Sequence, residues 1–112
     1  MPTGFHSFQL EQLEKDQAAS SAPYVEFLRR PGMSVGLYIL PVGGTDRQHP
    51  HAADEVYVVL EGKGTLRIQD HDEAVRVGSV VSVDHGVEHR FVEIEEDLHI
   101  LVMFAPPETP DA

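Results

Sequence analysis

Apolar residues along this chain occur in short runs separated by turn residues. The spacing of about eight to twelve residues is typical of all-β sandwiches and barrels. The runs, rich in Val, Ile, Leu, Tyr and Phe, cover residues 24–29, 33–40, 55–60, 65–69, 74–77, 80–83, 88–94 and 98–104. The turn signals between them include Gly62-Lys63-Gly64 and the acidic run Glu95-Glu96-Asp97. About eight short antiparallel strands predict an all-β jelly-roll barrel.

The ends of the chain do not follow this pattern. Residues 1–22 contain two apolar pairs and then a polar stretch, which predicts an N-terminal arm on the outside of the domain with room for one short helix. The barrel is predicted to occupy residues 23–106, and residues 107–112 form a tail. Run 33–40 is apolar on both faces, so we expect either the arm or a second subunit to cover its outer face.

Composition narrows the chemistry that this chain can perform. With 112 residues it is expected to form a single domain. It has no cysteine, which excludes disulfides, thiolate zinc sites, iron–sulfur clusters and cysteine nucleophiles. The net charge of -11 disfavours nucleic acid as a partner. The N-terminus lacks the pattern of a signal peptide, and no apolar stretch is long enough to span a bilayer, so we expect a cytoplasmic protein without membrane contact.

Histidines and a glutamate form the candidate site. His49, His51 and Glu55 have the same parity, so in an extended segment their side chains point to one face, and Pro50 favours an extended chain. His89 follows a turn further along the chain, and a barrel can bring its strand beside the first. Three imidazoles and one carboxylate would suit a divalent first-row transition metal.

At these residues the sequence resembles the cupin superfamily over roughly residues 35–105. The first cupin motif, G-x5-H-x-H-x3,4-E-x6-G, is matched in full by Gly43, His49, His51, Glu55 and Gly62. The second, G-x5-P-x-G-x2-H-x3-N, is matched by Gly78, Gly86 and His89. The chain departs from it in having Asp84 in place of proline and Glu93 in place of asparagine.

The resemblance implies a metal inside a jelly-roll barrel, held by His49, His51, Glu55 and His89. Four protein ligands on an octahedral ion leave two adjacent positions open for water, dioxygen or a chelating substrate. Iron, manganese, nickel, copper, cobalt and zinc are all admissible ions for this ligand set. Because small cupins commonly form dimers, the resemblance also implies a homodimer.

Parity also indicates which residues line the pocket for a small-molecule substrate. Tyr57 follows Glu55 and Phe91 follows His89 on the inward face, provided that no bulge intervenes. Tyr38 joins them if its strand is oriented suitably. His99 joins them only if its face of the last run points inward, and a structural histidine is the alternative.

These features together predict a metal-dependent small cupin that acts as an enzyme on a small organic substrate. A dioxygenase-like oxidoreductase is favoured, because two adjacent open positions suit dioxygen and a bidentate substrate. Two alternatives stay open: a non-catalytic, metal-containing binding module, and a sugar isomerase- or epimerase-like cupin. The fold alone does not select among these functions.

Overall fold

The computed structural model describes residues 2–46 and 52–108. Within these residues, helix α1 (Leu10–Ser20) precedes six strands, which are β1 (Tyr24–Arg30), β2 (Met33–Leu40), β3 (Asp54–Ile68), β4 (His71–Arg76), β5 (Val80–Val83) and β6 (His89–Ala105). The strands pair in the antiparallel order β1-β2-β6-β3-β4, and β5 pairs with β3. The predicted all-β fold is confirmed.

Two long strands, β3 and β6, replace four of the predicted short ones. The segments Gly62-Lys63-Gly64 and Glu95-Glu96-Asp97 were predicted as turns, and that prediction is wrong because both lie inside these strands. The β3–β6 register shifts repeatedly between Val59 and Thr65, which marks β-bulges. Gly62 has a φ of +88°, a conformation that glycine adopts without steric cost, so it bends β3 without ending it.

A second irregularity sets which residues of β6 face the barrel interior. Glu93 has a φ of +49° in the middle of the strand. Before it, the buried residues are His89 and Phe91; after it, they are Ile94, Leu98 and the even-numbered residues up to Phe104. The left-handed residue therefore reverses the inward parity of β6.

Replacement of Glu93 by asparagine is expected to stabilise the fold. Asparagine tolerates the left-handed conformation better than glutamate, so we expect a gain of about 0.5 kcal/mol in the free energy of unfolding. Chemical denaturation measures it. Glu95→Asn is the matched control, since Glu95 is exposed in the same strand and has no positive φ. Equal effects of the two substitutions would contradict this account of Glu93.

The barrel interior is filled by apolar side chains from strands β2 to β6 and from the residue that precedes β3. The cluster consists of Tyr38, Leu40, Ala53, Tyr57, Val59, Leu66, Val75, Val83, Phe91, Ile94, Leu98, Ile100, Val102 and Phe104. Burial of a side chain of this size contributes about 1.5–3 kcal/mol relative to its exposed state. This packing fixes the strands whose inward residues form the candidate site.

Helix α1 packs on the outer face of the barrel beside β2. The side chain of Gln17 is buried, and its Nε2 donates hydrogen bonds to the carbonyl oxygens of Pro23 at 2.8 Å and Leu37 at 3.0 Å. The ring of Phe8 in the arm packs edge to face against the ring of Phe27 in β1. Because Leu37 on the outer face of β2 is only 1% exposed in a single chain, the apolar character of β2 does not by itself require a second subunit.

In the described part of the chain, no helix has both the length and the apolar character needed to cross a membrane.

Candidate metal centre

Inward-facing residues of β3 and β6 form a polar cluster inside the apolar barrel. Glu55 and Tyr57 lie on β3, and His89 lies on β6. His89 Nε2 is 2.7 Å from Glu55 Oε1 and 2.9 Å from the hydroxyl of Tyr57. Glu55 and His89 are 2% and 3% exposed, respectively. Two of the four predicted ligands are therefore in direct contact in the barrel interior.

The two nitrogens of His89 have different partners. Nδ1 lies 2.8 Å from the carbonyl oxygen of Val87, so it is protonated and donates to that oxygen. Nε2 is left facing Glu55 and Tyr57. Burial by itself would lower the pKa of His89, but the hydrogen bonds to Glu55 and Val87 and the charges of Glu55 and Asp46 raise it above its ordinary value. A bound cation would compete with a proton for Nε2.

The carboxylate of Glu55 is only partly satisfied by these contacts. Among the described residues, its Oε2 is buried without a hydrogen-bond partner. A buried carboxylate oxygen without a partner is costly, whereas a metal ion compensates such a charge directly. Together with an imidazole oriented through its Nδ1, this donor chemistry fits a divalent transition metal. The two remaining predicted ligands, His49 and His51, lie outside the described residues.

Asp46 is a buried residue to which the sequence reasoning assigned no role. It is 4% exposed and accepts hydrogen bonds from the hydroxyl of Tyr38 at 2.5 Å and from the backbone N–H of Phe91 at 2.7 Å. It thus links β2 to β6 three residues before His49. No spacing signal marks it, since its burial depends on pairing between distant strands. Burial, together with the hydrogen bond to Asp46, raises the pKa of Tyr38 well above its ordinary range.

Loss of the Tyr38 hydroxyl is expected to destabilise the protein. Tyr38→Phe removes a hydrogen bond to a charged group, which is worth about 1.5–3 kcal/mol. Tyr24→Phe is the matched control, because the Tyr24 hydroxyl is buried and has no hydrogen-bond partner among the described residues. Denaturant unfolding should show a clear loss for Tyr38→Phe and little change or a gain for Tyr24→Phe. The reverse order would contradict the role of Asp46.

The predicted pocket residues divide between the two faces of the barrel wall. Tyr38, Tyr57 and Phe91 are buried in the interior cluster, and the rings of Tyr57 and Phe91 pack edge to face with centroids 5.1 Å apart. The structure does not bring His99 to them. It lies on the outer face of β6 against Glu14 of α1, because the parity reversal at Glu93 turns Leu98 and Ile100 inward. The condition for a pocket role of His99, an inward face, is not met.

These observations define the chain as a small antiparallel β-barrel domain with a buried carboxylate–imidazole pair. It belongs to the cupin superfamily, since the family model of the cupin domain matches residues 36–104, more than half of the chain. A relative from Streptomyces coelicolor, known as the uncharacterized protein SCO3923, is 48% identical over 103 residues, which cover 92% of this chain and 98% of the relative.

Solved structures show the same fold at low sequence identity. KdgF from Halomonas sp. superposes with a TM-score of 0.68 at 18% identity, covering 74% of this chain and 76% of that chain. An RmlC-like cupin from Shewanella frigidimarina gives a TM-score of 0.67 at 16% identity and covers 74% of each chain. These similarities establish the cupin barrel.

Proposed function

We propose that this protein is a metal-dependent cupin that binds a small organic substrate at a divalent transition-metal centre held by His49, His51, Glu55 and His89. The observation that carries the proposal is the buried carboxylate of Glu55: its Oε1 lies beside the Nε2 of His89, and its Oε2 has no hydrogen-bond partner among the described residues. Both atoms are ligands that such metals accept. Glu55 supplies negative charge, and the Nδ1–H bond of His89 to Val87 holds its ring in place.

The positions of the remaining ligands in the sequence support the same centre. His49 and His51 fall between Asp46 and Ala53, which are both 4% exposed. Asp46 is held on the barrel by its hydrogen bonds to β2 and β6. His49 and His51 therefore come three and five residues after a side chain that contacts the strand of His89.

The reaction we propose is oxygen chemistry of the dioxygenase type. When bound, the metal would supply two adjacent open positions for dioxygen and a bidentate substrate. Phe91 and the ring of Tyr57 are buried in the interior cluster beside the centre, and they would form an apolar wall that orients an apolar or aromatic group of the substrate. In the metal-free protein the Tyr57 hydroxyl lies 2.9 Å from His89 Nε2, so a metal on that nitrogen would displace this hydrogen bond. A sugar isomerase needs a pocket rich in polar groups, so an apolar wall favours the dioxygenase over that alternative.

Metal content and oxygen consumption test the proposal together. Protein purified without chelators is expected to contain near-stoichiometric iron, and to consume dioxygen when catechol-like or keto-acid substrates are added. Zinc, nickel or manganese with no oxygen consumption would overturn the dioxygenase and favour a non-redox enzyme. Stabilisation by ligands without product would favour a binding module. Absence of any metal, even after reconstitution, would overturn the centre itself.

Two further parts of the proposal concern the cellular location and the oligomeric state of the protein. We propose that the protein acts in the cytoplasm and as a homodimer, as small cupins commonly do. Light scattering on the purified protein tests the dimer: a mass of about twice the 12.4 kDa of one chain is expected, and a mass of one chain would overturn it.

A further inference from the structure

A second group of potential metal ligands lies on the outer face of the barrel. Glu14 of α1, Glu61 of β3 and His99 of β6 meet there, and their ligand atoms all lie within 4.8 Å of one another. His99 Nδ1 contacts Glu14 Oε2 and is 3.4 Å from Glu61 Oε2. Glu61 and His99 are cross-strand partners, so the sheet itself holds two of the three side chains together.

We propose that Glu14, Glu61 and His99 bind a divalent transition-metal cation such as Zn²⁺, with water molecules completing the coordination. Imidazole nitrogens and carboxylate oxygens both bind zinc, and open zinc sites have three protein ligands with water in the fourth position. The side chains of Glu14 and His99 are 24% and 19% exposed, so they are partly shielded from water. The side chain of Glu61 is 59% exposed, so an ion can reach the group from solvent. The two carboxylates offset the charge of the cation.

A cavity beside these three side chains supports the binding of a hydrated cation there. It has a volume of about 380 Å³ and is lined by Glu14, Gln17, Ile39 and His99, among others. Gln17 is 3% exposed, and its Oε1 has no hydrogen-bond partner among the described residues, although its Nε2 is fully engaged. Buried acceptors are normally satisfied. Water bound to a metal at Glu14 and His99 would lie in this cavity, which Gln17 also lines, so a small shift of the Gln17 side chain would give its Oε1 the donor that it lacks.

Such a site would connect helix α1 to the barrel. Glu14 is its contribution from the arm, whereas Glu61 and His99 belong to the two long strands. Because only the folded chain brings the three side chains together, zinc should stabilise the docked arm against local opening. This role is separate from the interior centre, since His99 lies on the opposite face of β6 from Leu98 and Ile100.

Zinc binding by the full-length protein tests the inference. Equilibrium dialysis measures the binding of Zn²⁺ alone. The reference protein carries His89→Ala, which weakens the interior centre, and each test protein carries one further substitution in this background. Glu61→Gln, which changes an exposed side chain and preserves its shape, is expected to weaken outer-site binding by at least about 10-fold. His99→Ala is expected to remove one equivalent of zinc. Hydrogen exchange of residues 10–20 should slow with zinc only where the outer site is intact.

His71→Ala is the matched control. His71 Nε2 lies 3.0 Å from the Glu73 carboxylate on the surface, and among the described residues no third potential ligand joins this pair. This substitution should leave zinc binding unchanged. The inference is overturned if Glu61→Gln and His99→Ala bind zinc as His71→Ala does, since the contacts of His99 would then be ion pairs only. Failure of the interior centre would appear differently, as wild-type protein that binds no more zinc than His89→Ala.

Discussion

Glu55→Gln is expected to lower the affinity for divalent transition metals by more than about 100-fold, since changes at residues that merely support ligands already cost 10- to 100-fold. An amide has the shape of the carboxylate but neither its charge nor its affinity for a cation. Competition against a chromophoric chelator measures the loss. Because Glu55 raises the pKa of His89 in the metal-free protein, that pKa should also fall in the variant, as an NMR titration would show.

Glu88→Gln is the control for this substitution. Glu88 is exposed and adjacent to His89 in sequence, so the change alters net charge by the same amount without entering the barrel. We expect this variant to bind metal as the wild type does. If the two variants bound metal equally well, Glu55 would not be a ligand, and its unpartnered oxygen would require another explanation.

Gly62→Ala is expected to have the largest effect on stability. A Cβ at this position would lie 2.1 Å from the backbone oxygen of Asp97 and 2.8 Å from that of Glu96, and the adjacent cross-strand pairs Glu61–His99 and Lys63–Glu96 hold this backbone in place. The residue also has a positive φ. Left-handed strain and overpacking together should cost about 3 kcal/mol or more, which chemical denaturation would reveal as a large shift of the midpoint.

Gly78→Ala separates the two contributions to this cost. Gly78 has a φ of +91°, close to that of Gly62, but a Cβ there would meet no atom within 4 Å. It should therefore show only the conformational cost, about 1–2 kcal/mol. The difference between the two variants measures the close approach of β3 and β6. If Gly78→Ala were as damaging as Gly62→Ala, the contact with Asp97 would not matter.

The sequence predicted local features well because alternation within one strand needs no knowledge of the rest of the chain. The bounds of β2 and β5 agree with runs 33–40 and 80–83. The shared face of Glu55 and Tyr57, and that of His89 and Phe91, follow from the same alternation.

The features that were missed all depend on contacts between distant segments. Glycine and acidic residues near 62 and 96 have the composition of turns, yet they lie in bulges of two strands paired with each other. The left-handed residue Glu93 changes the inward parity of β6, and for that reason His99 lies outside the barrel. The role of Asp46 requires strands β2 and β6 to lie beside it. Neither composition nor spacing carries that information.

The place of β6 in the sheet has a consequence for how the protein is made. This strand is the last of the six in the described chain, yet it pairs with both β2 and β3. During synthesis, β2 and β3 therefore have no common neighbour until the residues up to Ala105 have left the ribosome. Until then the edges of β2 and β3 that pair with β6 stay exposed, and such unpaired edges are prone to aggregate. A chain that lacks β6 should consequently be more prone to aggregate than the complete barrel.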